Sequence, residues 1–407
     1  MNVIKSINAE IINDSRNVPT LSVSVTTDSG FIGVCMVPSG ASTGKYEAFE
    51  LRDDGTSKGN VSKAQEIVNT KINDTLVDFD ISKQREIDNL LIKLDGTENK
   101  SNLGGNSILG VSIAVAKAAA KASGREFYEY MQTLADVTPS TNSPKLYFNL
   151  INGGKHANTQ LAFQEYHLVP QVESIKESLD IAQKVQDALG VIVLEKYGEV
   201  SRGDEGGYAV PTENIREPLE LLSQAVEVCG VTEKVSFAID VASSSFYNEE
   251  TKLYKIGEEN HTKEELYDTY LSLVESFPII SIEDPFHEED FEGFAKLQSS
   301  IPSIIVVGDD LTVTNVKRVE KAIEMKSITG MIIKPNQIGT LSETIDTITF
   351  AQKNGIKCIV SHRSGETMDD MIADITMAFK TFGIKSGARG PLVREVKYQR
   401  LCDIEKD

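Results

Sequence analysis

The stretch PIISIEDPFHEEDFEGFAKLQSSIPSIIVVGDD (residues 278–310) decides the fold. A short apolar run ends on Glu283, a loop and a helix-length pattern follow, and a second short apolar run ends on Asp309. Strand, loop and helix in one step is the unit of a parallel β/α barrel. Working outward, SFAID ends on Asp240, and MIIK, CIVSHR and FGIK end on Lys334, on His362 and Arg363, and on Lys385. The steps from Glu283 through Asp309, Lys334 and His362 to Lys385 are 26, 25, 28 and 23 residues. Barrel strands converge by their C-terminal ends on one face, and that face carries the chemistry. The repeat therefore gathers three carboxylates, two lysines, an arginine and a histidine around one pocket.

The rest of the chain divides around this repeat. Residues 1 to about 35 alternate apolar and polar positions (Ile4, Ile11, Leu21, Val23, Val25, Phe31), with Asp28-Ser29-Gly30 as a turn between strands. Helical patterns follow at 61–73, 82–94 and 106–122. The polar, proline-containing segment from Thr133 to Pro144 reads as a boundary between residues 1–135 and 140–407. Strand–helix alternation begins at LYFNLINGG (146–154), with FQEYHLVP (163–170) as a further strand and a long helix over 172–196.

Composition excludes several classes. A formal charge of −20 on 407 residues repels nucleic acid and anionic membrane, so an anionic ligand needs a locally cationic site. Cys35, Cys229, Cys358 and Cys402 are far apart, suggesting neither a zinc site nor a disulfide framework. The opening MNVIKSINAE lacks the apolar stretch of a signal peptide, and no run approaches the ~20 apolar residues of a membrane span. A cytoplasmic protein is expected.

Residue types suggest the chemistry. Asp240, Glu283 and Asp309 are hard oxygen ligands on three strand ends, the right set for Mg²⁺. Lys334 beside a divalent cation and another ammonium is pushed toward its neutral form and can serve as a base; a permanent ion pair with one of the carboxylates is the alternative. Arg363 and Lys385 suit a phosphate or carboxylate. PSGASTGKYE (38–47) lacks the spacing and the following Ser or Thr of a nucleotide phosphate loop, which leaves open a mobile lid bringing a hydroxyl or carbonyl to a second metal. SRGDEGGYA (201–209) places Asp204 and Glu205 between glycines, as a surface turn or as a general acid at the barrel mouth.

PSGASTGKYEAFELRD, NLINGGKHA, FQEY, GDEGGYA, SIEDPFHEEDFEGF, VVGDDLTVTN, IIKPNQIGTLSET and VSHRSGETMDDMIADI together resemble the enolases, the phosphopyruvate hydratases of glycolysis, over nearly the whole chain in order. The resemblance implies an N-terminal α+β capping domain, a modified β/α (TIM-like) barrel, and the Mg²⁺-dependent dehydration of 2-phosphoglycerate to phosphoenolpyruvate. It assigns Asp240, Glu283 and Asp309 to a tightly held Mg²⁺, and Ser39 to a second Mg²⁺ that arrives with substrate. Lys334 becomes the base at C2 and Glu205 the acid at the C3 hydroxyl. Gln164, Arg363, Ser364 and Lys385 become substrate contacts, with His156, Glu165 and His362 completing the pocket. His156 is singled out only by its NGGKHA context. A paralogue dehydrating another acid, or a non-catalytic binding protein on the same scaffold, would share most of these residues. The first would not need Gln164, Ser364 and Lys385 intact, and the second would be expected to lose catalytic groups.

The departures from the family pattern lie elsewhere. SRGNPT becomes SRNVPT (15–20), a Glu becomes Ser22, GAPxRSER becomes GARGPLVR (387–394), an Arg becomes Asp403, and Ser243-Ser244-Ser245 follows the first metal aspartate in place of Ala-Ser-Glu. Ser22 and Asp403 stand where the resemblance expects an intersubunit Glu–Arg pair. A homo-oligomer with an altered interface is the expectation.

Overall fold

The computed structural model describes residues 2–40, 44–135 and 143–406. Three antiparallel strands open the chain: β1 (Ile4–Asn13), β2 (Pro19–Thr27) and β3 (Ile32–Met36), in that order. Their alternation buries Ile7, Ala9, Leu21, Val23, Val25 and Cys35 on one face. The helix Gly105–Ala122 lies against that face and is buried over most of its length, which is why its sequence is small and apolar rather than two-faced. The approach is close: a Cβ on Gly33 in β3 would stand 2.0 Å from the Ala114 carbonyl oxygen and 2.4 Å from the Ala118 nitrogen.

The barrel closes from β4 (Lys145–Asn152), β5 (Glu165–Pro170), β6 (Val235–Asp240), then, after a small sheet of β7 (Tyr247–Asn248), β8 (Leu253–Ile256) and β9 (Glu259–His261), from β10 (Ile279–Glu283), β11 (Ile305–Gly308), β12 (Gly330–Ile333), β13 (Lys357–Ser361) and β14 (Gly383–Lys385). Around the ring the order is β10-β11-β12-β13-β14-β4-β5-β6. Tyr147, Val169, Ala238, Ile305, Val307, Ile332 and Ile359 form a cluster of their own, side chains of six barrel strands.

One strand departs from the parallel repeat. β5 runs antiparallel to both β4 and β6, because residues 153–164 hold one short 3₁₀ turn and no helix to carry the chain back across the sheet. Reversal puts the first residue of β5, not the last, at the chemical face: Glu165 stands opposite Asn152 and Asp240.

The N-terminal sheet and its helices are bolted to the barrel by polar contacts. Lys117 Nζ lies 2.7 and 2.9 Å from the Asp369 carboxylate oxygens, Arg85 pairs with Asp346 at 2.7 Å through both nitrogens, and the Ser112 hydroxyl accepts the Leu341 N–H at 3.0 Å. Most of the boundary segment, residues 136–142, lies outside the described residues. Among the described residues no helix is long and apolar enough to cross a membrane.

Gly33→Ala should force the sheet off the helix and lower stability by about 1–3 kcal/mol, the usual range for overpacking. Urea unfolding measures this. An unchanged midpoint would mean that the close approach is not under strain.

Candidate active site

Strand ends deliver the charges as the repeat requires. Asp240 and Glu283 close β6 and β10, Asp309 and Lys334 follow β11 and β12, His362 and Arg363 follow β13, and Lys385 closes β14. One pocket is lined by eleven of the thirteen residues singled out from the sequence, all but Glu283 and Ser39. Glu283 is one contact away, its two oxygens 2.8 and 2.9 Å from Lys385 Nζ.

Lys385 is the electrostatic centre of this wall. Its ammonium also lies 3.4 Å from Glu165 Oε2 and 3.5 Å from Asp240 Oδ2. Burial opposes its charge, but the carboxylates of Glu165, Glu283, Asp240 and Asp309 hold its pKa well above the ordinary value. One ammonium does not balance the group. Burial and repulsion from Asp240 push Glu283 well up; burial, and repulsion from Glu165 against the pull of Lys385, raise Asp240. Asp309 goes the other way despite burial, because Lys334 pairs with it. Lys334 itself is raised: burial and the nearby Arg363 and Lys385 disfavour its charge, and Asp309 outweighs them. Lys334 is thus ion-paired with Asp309, the alternative arrangement for this lysine.

Two buried carboxylates whose protons are held too tightly, beside a third kept ionised by Lys334, are a fitting set for a hard divalent cation. Their neighbours were not foreseen. Asp284, the second acid of IED, accepts the backbone N–H groups of Asp309 and Asp310 at 3.0 and 2.7 Å. Asp284, Asp309 and Asp310 bring oxygens within 4.8 Å of one another, a tighter group than the expected ligand set. Burial and Asp309 push Asp310 up to about 8. Gln337 Nε2 donates to Asp309 Oδ1 at 2.8 Å, its own oxygen being held by the Thr314 hydroxyl.

The second wall comes from the 201–209 loop. Asp204 is exposed and Glu205 is buried, which settles the acid pair in favour of Glu205 facing inward. Asn149 Nδ2 donates to Glu205 Oε2 at 2.9 Å, and His362 Nε2 lies 3.1 Å from the same oxygen. His156 Nδ1 stands 3.4 Å from Glu205 Oε1 and 3.3 Å from Glu165 Oε1. On the other side of Glu165, His167 Nε2 is 2.8 Å from Oε2. Three of the five histidines thus converge on two carboxylates. Glu205 is a carboxylate here: burial and Glu165 push its pKa up, and the imidazoles of His362 and His156 bring it below the usual range. Burial holds His362 at about 4, against the pull of Glu205 and with the help of Arg394, so the ring is neutral.

The N-terminal domain reaches the pocket at Arg363 and Ser364. Arg363 is held by Glu47 at 2.9 Å and by Asn336 at 3.0 Å. Arg16 Nη1 donates to the Ser364 hydroxyl at 3.2 Å. Ser39 is placed otherwise than expected for a metal ligand. Its backbone pairs with Gly365 in both directions, and its fully buried hydroxyl donates to Glu50 at 3.0 Å while accepting from Arg52 at 2.9 Å. Of the expected lid, residues 41–43 lie outside the described residues.

Residues 141–407 match the family model "Enolase, C-terminal TIM barrel domain", and residues 4–131 match "Enolase, N-terminal domain". The chain is 46% identical over 409 residues to a protein named Enolase from Methanocaldococcus jannaschii, covering 99% of this chain and 95% of that one. It is 46% identical over 414 residues to the Enolase of Thermococcus gammatolerans (99% and 95% covered), and 41% over 411 residues to that of Sulfolobus acidocaldarius (99% and 96%).

Lys385→Met should destabilise the metal-free protein by about 3–5 kcal/mol at neutral pH, because it leaves buried carboxylates unpaired. Glu283 and Asp240 have pKa values raised by burial although Lys385 lowers both, so losing Lys385 raises them further and makes the contribution of these two groups more favourable as pH falls. The deficit should therefore shrink toward acid pH in urea titrations. A deficit that does not change with pH would mean that Lys385 acts only through packing.

Proposed function

The chain belongs to the enolase family, and from that premise we propose that Lys334 is the base and Glu205 the acid of its reaction. It is a lyase, a phosphopyruvate hydratase, and it dehydrates 2-phosphoglycerate to phosphoenolpyruvate in glycolysis. The division into a capping unit, 1–135, and a catalytic barrel, 140–407, belongs to the proposal. So does a cytoplasmic location, where glycolysis would take place.

The observation that carries the role assignment is that two differently provisioned walls meet in one pocket. Lys334 follows β12 among carboxylates and ammonium groups; Glu205 sits with Asn149, with the neutral ring of His362, and with His156, whose pKa Glu205 and Glu165 raise against burial. The proton at C2 lies next to a carboxylate and is very weakly acidic, since its removal adds a second negative charge. Asp240, Glu283 and Asp309 would hold one Mg²⁺. A second would take Ser39 only if its hydroxyl exchanged Glu50 and Arg52 for the ion. When bound, the metal supplies the positive charge that makes the second negative charge tolerable.

The protein's own groups do the rest. Lys334 must give up Asp309 as its partner before its nitrogen can accept the C2 proton. Lys385 and Arg363 stand ready for the substrate's carboxylate and phosphate, but both are now ion-paired, so they bind by exchanging partners. Gln164, Nε2 3.3 Å from Asp240 Oδ2, and Ser364 add neutral contacts. In dehydration Glu205 delivers a proton to the departing C3 hydroxyl. In hydration the carboxylate form seen here takes one from water, so one residue serves both directions. A homo-oligomer would lack the expected ion pair, since Ser22 and Asp403 replace its Glu and its Arg; Asp403 instead contacts Gln399 and Lys406 of its own helix.

Lys334→Ala should abolish both dehydration and exchange of the C2 proton with deuterated water, each falling by about 10²–10⁴-fold. Glu205→Gln should abolish dehydration but keep C2 exchange, because an amide cannot protonate the leaving group while the base remains. The opposite pattern would swap the roles.

EDTA should stop turnover, and Asp309→Asn should weaken Mg²⁺ binding, in calorimetry of the folded protein, by at least the roughly 10–100-fold that loss of a group merely orienting a ligand costs. Unchanged affinity would remove Asp309 from the ligand set.

A further inference from the structure

The helix Leu392–Lys406 places a guanidinium behind the acid wall. Arg394 is fully buried, and among the described residues it makes no ion pair. Its donors go to Nδ1 of His362 at 2.5 Å and to the backbone carbonyls of Arg363 at 2.7 Å, Ser364 at 2.8 Å and Asp204 at 3.1 Å. A buried cation facing only neutral acceptors is an expensive arrangement, so its placement calls for a reason. All four acceptors belong to the two loops that carry His362 and Glu205.

A guanidinium has donors and no acceptor. His362 Nδ1 must therefore offer a lone pair, and the single proton of the neutral ring sits on Nε2, the nitrogen nearest Glu205 Oε2. Asn149 donates to that same oxygen. Oε2 thus has the Asn149 donor bonded to it and the His362 Nε2 nitrogen 3.1 Å away, while Oε1 lies toward His156. The charged groups acting on the His362 ring are Glu205, Arg394 and Glu165, and its backbone N–H is fixed by the Lys385 carbonyl. The wall is closely built. Gly387 has φ +86°, and a Cβ there would stand 2.7 Å from the Glu205 carbonyl oxygen and 3.2 Å from His362 Cε1.

We infer that Arg394 is a positioning residue for the acid: it fixes His362 as the Nε2–H tautomer, which presents that N–H on the Oε2 side of Glu205, beside the Asn149 donor, and leaves Oε1 to transfer the proton. The Oε1–H bond breaks as the C3–O bond breaks, the proton leaves with hydroxide as water, and Glu205 remains as carboxylate. This inference rests on the reading of Glu205 as the acid.

Nitrogen NMR of protein labelled with ¹⁵N-histidine tests the tautomer directly, with His362 assigned by the signal missing in His362→Gln. The wild type should show one neutral Nε2–H form, and an Nδ1–H form or an imidazolium would overturn the inference. Arg394→Met should release the tautomer and lower dehydration about 10-fold or more while C2 exchange stays within about 3-fold. Arg394→Lys, which keeps a donor and the charge, should recover part of the loss. Parallel loss of exchange and dehydration in the lysine variant would reduce Arg394 to a structural role. Should the methionine variant fail to fold, the wild-type tautomer and the lysine variant decide. If Glu205→Gln kept full dehydration while the wild type showed the Nε2–H form, the acid assignment would fail and the tautomer lock would stand.

Discussion

Lys385 sits within 3.5 Å of Glu283, Glu165 and Asp240, and this shortage of positive charge at the mouth of the barrel governs the rest of the site. A closed barrel has no choice about convergence: residues at eight strand ends share one face. Placing acids there creates a demand that buried side chains alone meet incompletely. The cations that could help are already committed, Lys334 to Asp309 and Arg363 to Glu47. An anionic substrate cannot simply dock on unused charge; it must displace carboxylates from their partners. Bound metal would make that exchange favourable by taking the carboxylates over.

The N-terminal domain does more than cover this mouth. Glu47 contributes one carboxylate to the exchange, and Arg16 and the Ser39 backbone fasten the loop that follows β13. Lys117 and Asp369 join the long buried helix to the segment a few residues beyond Ser364. Packing in the small domain is thereby coupled to the position of two substrate-contact candidates.

The barrel and most of the pocket were legible because strand-end charges recur at nearly constant spacing, and apolar runs of strand length are hard to mistake when turn signals bound them. The direction of β5 was not legible. YHLVP reads the same whichever way the strand runs, and only the missing crossover helix between Asn152 and Glu165 decides it. Ser39 shows another limit: its motif is readable, but the partners of its hydroxyl, Glu50 and Arg52, are set by tertiary packing. Asp284 and Asp310 could have been found as the second acids in IED and GDD. Arg394 carried no local signal at all, since its role comes from loops 30 and 190 residues away in sequence.

Arg394 also links the closing of the barrel to the finishing of the pocket. It stands C-terminal to every other side chain of the pocket, and it ties together two loops that precede it in the chain. The last barrel strand, Gly383–Lys385, ends only nine residues before it, so ring closure and the fastening of the acid wall draw on the same short stretch of chain.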